Sequence, residues 1–535
     1  MEKSIQRIVT FGYGSTDSVP ARYFGNKAAV LATMASLGIP VPPGFSLSAA
    51  ICAEYHRDGR TLPEDTLQIL REGIAFLEDA TGQEFGGERD PLIVSVRSGA
   101  PVSMPGIMDT ILNVGLNRKT VRGLMSLTGN PRFSWDSYRR FLENFGVVVF
   151  DHDPSSYRNL LSEIMAQEGI EDEVELDSSS LRILAEEYEK IFSGFSRRPF
   201  PENAYEQLEL ATVAVLDSWM SPRADSFRRI HALEDVPGTA LAVQVMVFGN
   251  TGARSGAGVA FTRNPWTGEN EFLVDFKFGA QGEDVVSGEQ SATTQAELKV
   301  ALPEVYRELN EVGRKLEAYY EDMQDLEFTI QEGNLYLLQS RSGKRAPFAA
   351  LRIAVDMWRE GLLTPEKALQ RLEDVDLDGI MVQKIASDDP YLARCISAST
   401  GVAWGRIALS SEYAEKLAGE GQVILVKDTI TPDDLPGIDA ATGILTSRGA
   451  RTSHAAVVAR QMGKVCIVNC EELKIDIKNH TCRFCDKVFS EGEIITLDGD
   501  HGTIHEGEAD ITFEKPTELL DIVAQWRKNL NIPTS

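Results

Sequence analysis

The chain has 535 residues and a formal net charge of −27, with 43% hydrophobic and 25% charged residues, a composition typical of globular proteins of roughly two to four domains. This acidity argues against nucleic acid or an anionic membrane surface as a partner, because both attract basic proteins. No stretch approaches 18 consecutive apolar residues, and six cysteines in so long a chain form no disulfide framework, which favours a cytoplasmic protein.

The N-terminal part of the chain, residues 1–345, alternates strand-like and helix-like patterns. We expect a helix over 28–37, a buried strand over 92–96 and a mostly helical insertion over about 115–235. A mixture of strands with an inserted helical region predicts an α/β unit with α+β elements. Its later strands are predicted over 241–248, 258–262, 272–276, 325–330 and 335–340.

The C-terminal part has a helical spacing of apolar residues first and an alternating pattern afterwards. A helical linker is predicted over 346–394, followed by a small α/β domain over 395–513 and a C-terminal helix within 514–535. The strands of the small domain are predicted over 423–427, 465–469, 494–498 and 503–505.

Four polar residues are predicted to gather on a hairpin. Asp325 and Glu327 are two residues apart on one predicted strand, and Gln339 and Arg341 are two residues apart on the next. Carboxylate oxygens are ligands that suit Mg²⁺ next to nucleotide phosphates, so Asp325 and Glu327 are the candidate metal ligands. We expect both to face a solvated cleft; an edge hairpin with solvated charges is the alternative.

A strand that runs into a loop rich in Gly, Ser and Pro predicts a second phosphate-binding element. Arg97 stands at the end of this strand, before the loop over 98–106. Lys27, just before a predicted helix, could contact a phosphate as a point charge. For both features an ordinary turn or a solvated surface residue is the alternative.

The segment 443–464 carries the most informative pattern in the chain. A turn of small residues leads through Thr452 and Ser453 to His454, at the start of a short predicted helix over 455–462. A helix N-terminus favours negative charge and binds phosphate, and a neutral imidazole is nucleophilic. His454 is therefore placed to carry a phosphoryl group, although most histidines at helix starts are structural.

These segments resemble the pyruvate phosphate dikinase family, from about residue 22 to 507. The similarity extends to the motif Tyr138-Arg139-Arg140-Phe141 and to the segments 244–250, 258–265 and 279–286. The resemblance implies an ATP-grasp nucleotide-binding domain with an inserted helical subdomain, a helical linker and a swivelling phosphohistidine domain. It also implies that His454 is the phosphorylated residue. The nucleotide, phosphate and metal contacts that it implies are Lys27, Arg97, Arg140, Gln244, Asp325, Glu327, Gln339 and Arg341.

The implied reaction is autophosphorylation of His454, in which ATP and inorganic phosphate give AMP and pyrophosphate with Mg²⁺ as the cofactor. The resemblance implies that full-length relatives continue into a barrel domain that binds pyruvate or phosphoenolpyruvate. Such a barrel needs roughly 250 residues. Only 22 residues follow Phe513. We therefore expect the acceptor site on a separate partner chain, and a homo-oligomer is left open. Direct transfer to another small molecule, or nucleotide-binding regulation without turnover, are the alternatives.

The cysteines offer a further metal hypothesis. Cys482 and Cys485 form a C-x-x-C pair, and Cys466 and Cys470 lie upstream. Four thiolates could hold a structural zinc ion, but the spacing of the upstream pair is loose for a zinc knuckle. A variable loop or hairpin is therefore the preferred interpretation of this region.

Overall fold

The structure is a computed structural model, and it confirms a mixed α/β fold. The chain divides into two compact units, residues 1–255 with 330–339, and residues 256–329 with 340–535. The residues that the structure describes are 6–15, 17–100, 108–170, 173–230, 233, 236, 238–281, 295–386, 390–431, 434–449 and 454–531.

The first unit is built on a five-stranded sheet in the order β1-β2-β7-β5-β6, in which all neighbouring strands are antiparallel. The strand predicted over 92–96 is broken at Ile93, so that a short parallel pair, β3 and β4, precedes β5. The strands are β1 (Ile8–Phe11), β2 (Gly44–Leu47), β3 (Glu84–Phe85), β4 (Pro91–Leu92), β5 (Val94–Gly99), β6 (Thr110–Val114) and β7 (Ala240–Val245).

Helices cover this sheet and form most of the insertion between β6 and β7, as predicted. Aromatic side chains from several of them, including Phe133, Phe141, Phe145 and Phe192, are buried in the same core as the central strands. The helices are α1 (Ala21–Phe24), α2 (Asn26–Ser36), α3 (Ala49–Arg57), α4 (Thr66–Thr81), α5 (Arg118–Thr128), α6 (Pro131–Phe150), α7 (Pro154–Glu168), α8 (Ser178–Ser196), α9 (Ala204–Ser218) and α10 (Pro222–Ile230).

A four-stranded sheet in the order β11-β10-β8-β9 precedes the helical linker, and the boundary between the two units crosses β10 and β11. Its strands are β8 (Gly256–Phe261), β9 (Leu273–Phe278), β10 (Gln324–Gln331) and β11 (Asn334–Ser342). The helices that follow β9 and β11 are α11 (Gln295–Ala301), α12 (Pro303–Tyr320), α13 (Pro347–Arg359) and α14 (Pro365–Arg371).

The C-terminal part of the second unit contains an eight-stranded mixed sheet in the order β13-β23-β22-β15-β16-β17-β18-β14. The strands β15 to β18 run parallel, and helices connect them. The strand β12 (Val382–Ile385) precedes this sheet and pairs antiparallel with residues 511–514. The sheet strands and helices up to β18 are β13 (Ala393–Arg394), β14 (Ile396–Ser399), β15 (Val402–Ala408), α15 (Ser411–Ala418), β16 (Val423–Lys427), α16 (Leu435–Ala440), β17 (Gly443–Thr446), α17 (His454–Gln461) and β18 (Val465–Val468).

A three-stranded antiparallel sheet, β19-β20-β21, follows β18, and the last helix packs with α13 and α14 around a core that contains Trp526. Within the described residues, no helix is both long and apolar enough to span a bilayer. The remaining elements are β19 (Leu473–Asp476), β20 (Thr481–Phe484), β21 (Lys487–Ser490), β22 (Ile494–Asp498), β23 (Thr503–Glu506), β24 (Ile511–Glu514) and α18 (Thr517–Asn529).

Candidate functional site

Two predicted phosphate-binding cations of the first unit lie on neighbouring elements. Arg97 is half-buried on β5, opposite Ala242 of β7. The first residue of α2, Asn26, donates its backbone N–H to the carbonyl oxygen of Ala100, just beyond β5, at 3.1 Å. Lys27 is the second residue of α2 and is half-buried. The fold therefore brings the helix start that carries Lys27 to the end of the strand that carries Arg97.

A glycine makes this approach of α2 to β5 sterically accessible. Gly25 precedes α2 with a φ of 83°, in the left-handed region, and a Cβ there would lie 2.0 Å from the carbonyl oxygen of Gly99. No other residue fits so close to a backbone oxygen. The predicted phosphate loop follows β5, and its residues 101–106 lie outside the described residues.

Arg140 lies on α6 within a cluster of four charged side chains. Its Nε is 3.1 Å from Asp136, its Nη2 is 2.5 Å from Glu173, and the buried Arg139 binds the same two carboxylates. Burial works to raise the pKa of Asp136, but Arg140 and Arg139 outweigh it and hold this pKa below its usual value. The structure therefore gives Arg140 two carboxylate partners in the helical region, and its contact with a nucleotide stays a prediction.

Gln244 is a buried residue of β7 and has a structural contact. Its Nε2 donates to the carbonyl oxygen of Pro42 at 3.0 Å, which connects β7 to the segment that leads into β2. This hydrogen bond satisfies one donor of an amide that is costly to bury without a partner. A nucleotide contact of Gln244 also stays a prediction.

The hairpin carboxylates of the second unit lie beside Arg341. The Nε of Arg341 donates to Oδ2 of Asp325 at 2.7 Å, and its Nη2 is 3.7 Å from Oε1 of Glu327. The alternating residues of β10, Leu326 and Phe328, are buried on the opposite face, as the period-2 pattern predicts. Asp325, Glu327 and Arg341 therefore form one polar surface.

The expectation that both carboxylates face a solvated cleft is wrong for Asp325. Its relative exposure is 8%, whereas Glu327 is half-buried. Burial raises the pKa of Asp325, Arg341 acts to lower it, and the net pKa is raised. Sequence alternation gives the face of a strand, but whether that face is covered depends on distant segments that pack over it.

These residues fit a hard divalent cation such as Mg²⁺. A carboxylate has two oxygens, so Asp325 can keep Oδ2 on Arg341 and offer Oδ1 to a metal ion. The raised pKa of Asp325 shows that its charge is only partly compensated. Gln339 lies two residues before Arg341 on β11, so the two share a face of that strand.

His454 begins α17, the helix that connects the parallel strands β17 and β18. The loop before it therefore leaves from the carboxyl end of a parallel strand, where α/β sheets bind their ligands. The first loop residue, Ser447, donates from its Oγ to Oδ1 of Asp428 at 2.6 Å and anchors the loop to the segment after β16. Thr452 and Ser453, and the side chain of His454, lie outside the described part of the structure.

Arg460 of α17 is a further charged residue near this site that no sequence motif singled out. Its guanidinium lies 5.9 Å from the centroid of the Trp266 ring, and its charge acts on Asp275 and Asp325. Asp275 is a buried residue of β9. The position of Arg460 near the end of the helix that His454 begins was the available signal. Arg460 therefore places a positive charge of α17 within electrostatic range of Asp325.

Comparisons with known proteins agree with this arrangement of a nucleotide-binding part and a histidine-bearing part. Residues 61–305 and 289–361 match the family described as "Pyruvate phosphate dikinase, AMP/ATP-binding domain". Residues 419–502, which include His454, match "PEP-utilising enzyme, mobile domain".

Similar curated proteins are themselves named as dikinases. The chain is 41% identical over 528 residues to the chloroplastic pyruvate, phosphate dikinase of Flaveria pringlei, covering 97% of this chain and 55% of that protein. It is 41% identical to the pyruvate, phosphate dikinase of Rhizobium meliloti, covering 97% of this chain and 60% of the relative. For Clostridium symbiosum the identity is 41%, covering 94% and 58%. The chain thus spans a little more than half the length of these relatives, and it belongs to the pyruvate phosphate dikinase family, a family of phosphotransferases.

Proposed function

We propose that this chain transfers the β-phosphoryl group of ATP to His454, with inorganic phosphate accepting the γ-phosphoryl group. The products are AMP, pyrophosphate and phosphohistidine. The observation that carries the proposal is the position of α17. Arg460 of this helix lies 5.9 Å from the centroid of the Trp266 ring and within electrostatic range of Asp325, and the helix that begins at the carrier residue belongs to the same compact unit as the predicted metal ligands.

The proposed roles of the first unit are binding and charge neutralisation. Lys27 offers a compact ammonium group and Arg97 a planar fork of N–H donors, which are complementary ways to hold phosphate oxygens. The close approach of α2 to the end of β5, which Gly25 allows, supports their action on one nucleotide. Gln244 and Arg140 have structural partners, so we assign them to shaping this unit and leave direct nucleotide contact as a prediction.

In the proposed reaction the neutral imidazole of His454 attacks the β-phosphorus atom, and the bond to the α,β-bridging oxygen breaks to release AMP and leave a diphosphoryl group on the histidine. Inorganic phosphate then attacks the γ-phosphorus atom, and the bond from this atom to the β,γ-bridging oxygen breaks. Pyrophosphate leaves, and the β-phosphoryl group stays on His454. The positive end of the α17 dipole then stabilises the negative charge on the phosphohistidine. Positioning and charge neutralisation supply most of the catalysis in such transfers. Arg341 holds Asp325 and can donate its remaining N–H groups to phosphate oxygens.

Mg²⁺, when bound, would neutralise the charge of the nucleotide phosphates. Asp325 and Glu327 would hold it through their carboxylate oxygens, which are hard ligands on one face of β10. The partial burial of this surface strengthens the electrostatic interactions of these residues compared with open solvent.

We further propose that phosphohistidine passes its phosphoryl group to pyruvate at a site outside these 535 residues. The support is that the relatives named as pyruvate, phosphate dikinases are longer than the matched region. Whether that site lies on a separate partner chain stays a prediction that no observation tests. The cytoplasmic location and the homo-oligomer also stay predictions, and the chloroplastic relative belongs to a different compartment.

The proposal is tested by incubating the purified chain with Mg²⁺, inorganic phosphate and ATP that carries ³²P in either the β or the γ position. We expect acid-labile, base-stable label on the protein from the β position only, with AMP released in an amount equal to the labelled histidine. His454→Asn should abolish the label.

A matched control is His480→Asn, which changes an exposed histidine of the same unit that pairs with Glu491. This variant should label like the wild type. Stable protein label from the γ position would contradict the dikinase route, and the absence of any label would favour nucleotide-binding regulation.

A further inference from the structure

Two cysteines that are far apart in the sequence meet beside the paired strands β14 and β18 of the eight-stranded sheet. Cys395 lies between β13 and β14, and Cys470 follows β18. The sulfur atoms of Cys395 and Cys470 and a carboxylate oxygen of Glu472 all lie within 4.8 Å of one another. This set differs from the set of Cys466, Cys470, Cys482 and Cys485 that the sequence spacing offers. Its two cysteines, Cys395 and Cys470, are 75 positions apart in the sequence.

The backbone around each thiol is fixed by hydrogen bonds and packing. The N–H of Cys395 donates to the carbonyl oxygen of Gly502 at 2.8 Å, and a Cβ at Gly502 would lie 2.4 Å from the carbonyl oxygen of Cys395. The N–H of Cys470 donates to Thr446 at 3.0 Å, and the carbonyl oxygen of Cys470 accepts from Leu473 at 3.0 Å. The thiols are therefore held by the sheet and by a turn.

The three ligands differ in exposure in a way that suits a metal ion at the domain surface. Cys470 is fully buried, Cys395 is half-buried, and Glu472 is exposed, with one carboxylate oxygen 4.0 Å from the sulfur of Cys470. Two thiolates and one carboxylate leave a fourth tetrahedral position for water on the exposed side. No histidine, thiol or carboxylate beyond these three belongs to the cluster among the described residues.

The spacing of the ligands also suits zinc. A tetrahedral ion with Zn–S bonds of about 2.3 Å holds two thiolates about 3.8 Å apart. Because the observed ligand atoms lie within 4.8 Å, side-chain shifts of about 1 Å reach that arrangement. Both cysteines are free thiols in the structure.

We propose that Cys395, Cys470 and Glu472 form a binding site for a thiophilic divalent metal ion, with Zn²⁺ as the representative. Binding would displace the two thiol protons to solvent and form two metal–sulfur bonds. The ion would join the first strands of this sheet to the turn after β18. Since Cys470 is hydrogen-bonded to Thr446, the last residue of β17, the ion would also stabilise the strand that leads to the His454 loop.

The test uses the full chain, purified under reducing conditions and stripped of metal with a chelator. Co²⁺ should give one equivalent of a tetrahedral spectrum with thiolate-to-cobalt charge-transfer absorption, and one equivalent of Zn²⁺ should remove it. Zn²⁺ should raise the midpoint of thermal unfolding. Glu472→Gln, an exposed change that is compatible with folding, should weaken Zn²⁺ binding at least about 10-fold.

The controls separate this site from other thiols of the same unit. Cys395→Ser and Cys470→Ser should each abolish the charge-transfer band, whereas Cys485→Ser, which changes an exposed thiol, should leave it unchanged. The proposal is overturned by a wild-type spectrum without thiolate bands, by a band that depends on Cys485, or by unchanged Zn²⁺ affinity in Glu472→Gln. A thiol titration of the unfolded, unreduced chain that finds four free thiols of six, with the missing pair at Cys395 and Cys470, would also overturn it.

Discussion

Two arginines of the second unit each face two carboxylates, but they differ in how completely they are paired. Arg263 is fully buried, and its guanidinium binds Glu317 at 2.8 and 2.9 Å and Glu360 at 2.9 and 2.5 Å. The side chain of Arg341 is 39% exposed and makes one close contact with Asp325 at 2.7 Å. The distance from Arg341 to Glu327 is 3.7 Å.

This difference separates a structural ion cluster from a surface that can bind a ligand. Around Arg263 the donors are distributed over both carboxylates, so the cluster compensates for the cost of burying charge. Around Arg341 the pairing is looser, and the raised pKa of Asp325 reflects a buried charge that is incompletely compensated. A hard divalent cation can compensate the negative charge beside Arg341, whereas the negative charges around Arg263 are already compensated by its guanidinium group.

The free energy of unfolding should fall most when the ion cluster around Arg263 is broken. Arg263→Met should lower the free energy of unfolding by about 3–5 kcal/mol, because it leaves Glu317 as a buried, uncompensated charge. Arg341→Met, the matched change at the partly exposed pair, should cost less, because the raised pKa of Asp325 favours uptake of a proton when its guanidinium partner is removed. Urea unfolding followed by circular dichroism measures both. Equal losses in the two variants would remove the distinction between the clusters.

The next prediction concerns the rate of His454 labelling when a carboxylate beside Arg341 is neutralised. Asp325→Asn and Glu327→Gln keep the side-chain shape but remove the charge, so each should slow labelling of His454 by on the order of 100-fold or more. Single-turnover labelling measures this rate. The control Glu514→Gln, which changes an exposed acid paired with Lys384, should label normally. Wild-type rates in both hairpin variants would show that this surface is not the metal and phosphate site.

A smaller change is predicted in how the free energy of unfolding depends on pH at Asp325. The folded pKa of Asp325 is raised above 3.8, so the contribution of this residue to stability is fully present below that pH. It is lost as the pH rises through the raised pKa. Asn does not titrate, so the stability of Asp325→Asn relative to the wild type should increase over the same pH interval. Urea midpoints measured from pH 3.5 to neutrality test this, and a difference that falls with rising pH would contradict it.

Two features of the candidate site could be predicted from the sequence, the pairing of Asp325 with Arg341 and the helix start at His454. The pairing of Asp325 with Arg341 follows from two strands with a short turn between them, since period-2 alternation places both on defined faces. The pattern of residues before His454 likewise placed a helix start there, and α17 begins at that residue. These are local features, set by the preferences of residues close together in the chain.

Other parts required contacts over long sequence separations. Arg263 lies in a segment that resembles the family but for which the sequence suggested no specific role. Its structural role depends on ion pairs with Glu317 and Glu360, which are 54 and 97 residues away in the sequence. Arg140 was predicted as a nucleotide contact, yet the structure gives it Asp136 and Glu173 as partners. Asp136 lies four residues before Arg140 on the same helix, so that pair has a local signal. The contacts with Glu173, Glu317 and Glu360 have none, because opposite charges in a sequence do not specify which of many distant partners they meet.

The family, the α/β class and most of the helices and strands follow from the sequence, because periodicity and short motifs depend on neighbouring residues. The burial of Asp325, the charge of Arg460 within electrostatic range of it, and the cluster of Cys395, Cys470 and Glu472 become apparent only in the folded chain. Burial and partner choice depend on how separate segments pack against one another, and that packing is a property of the whole fold.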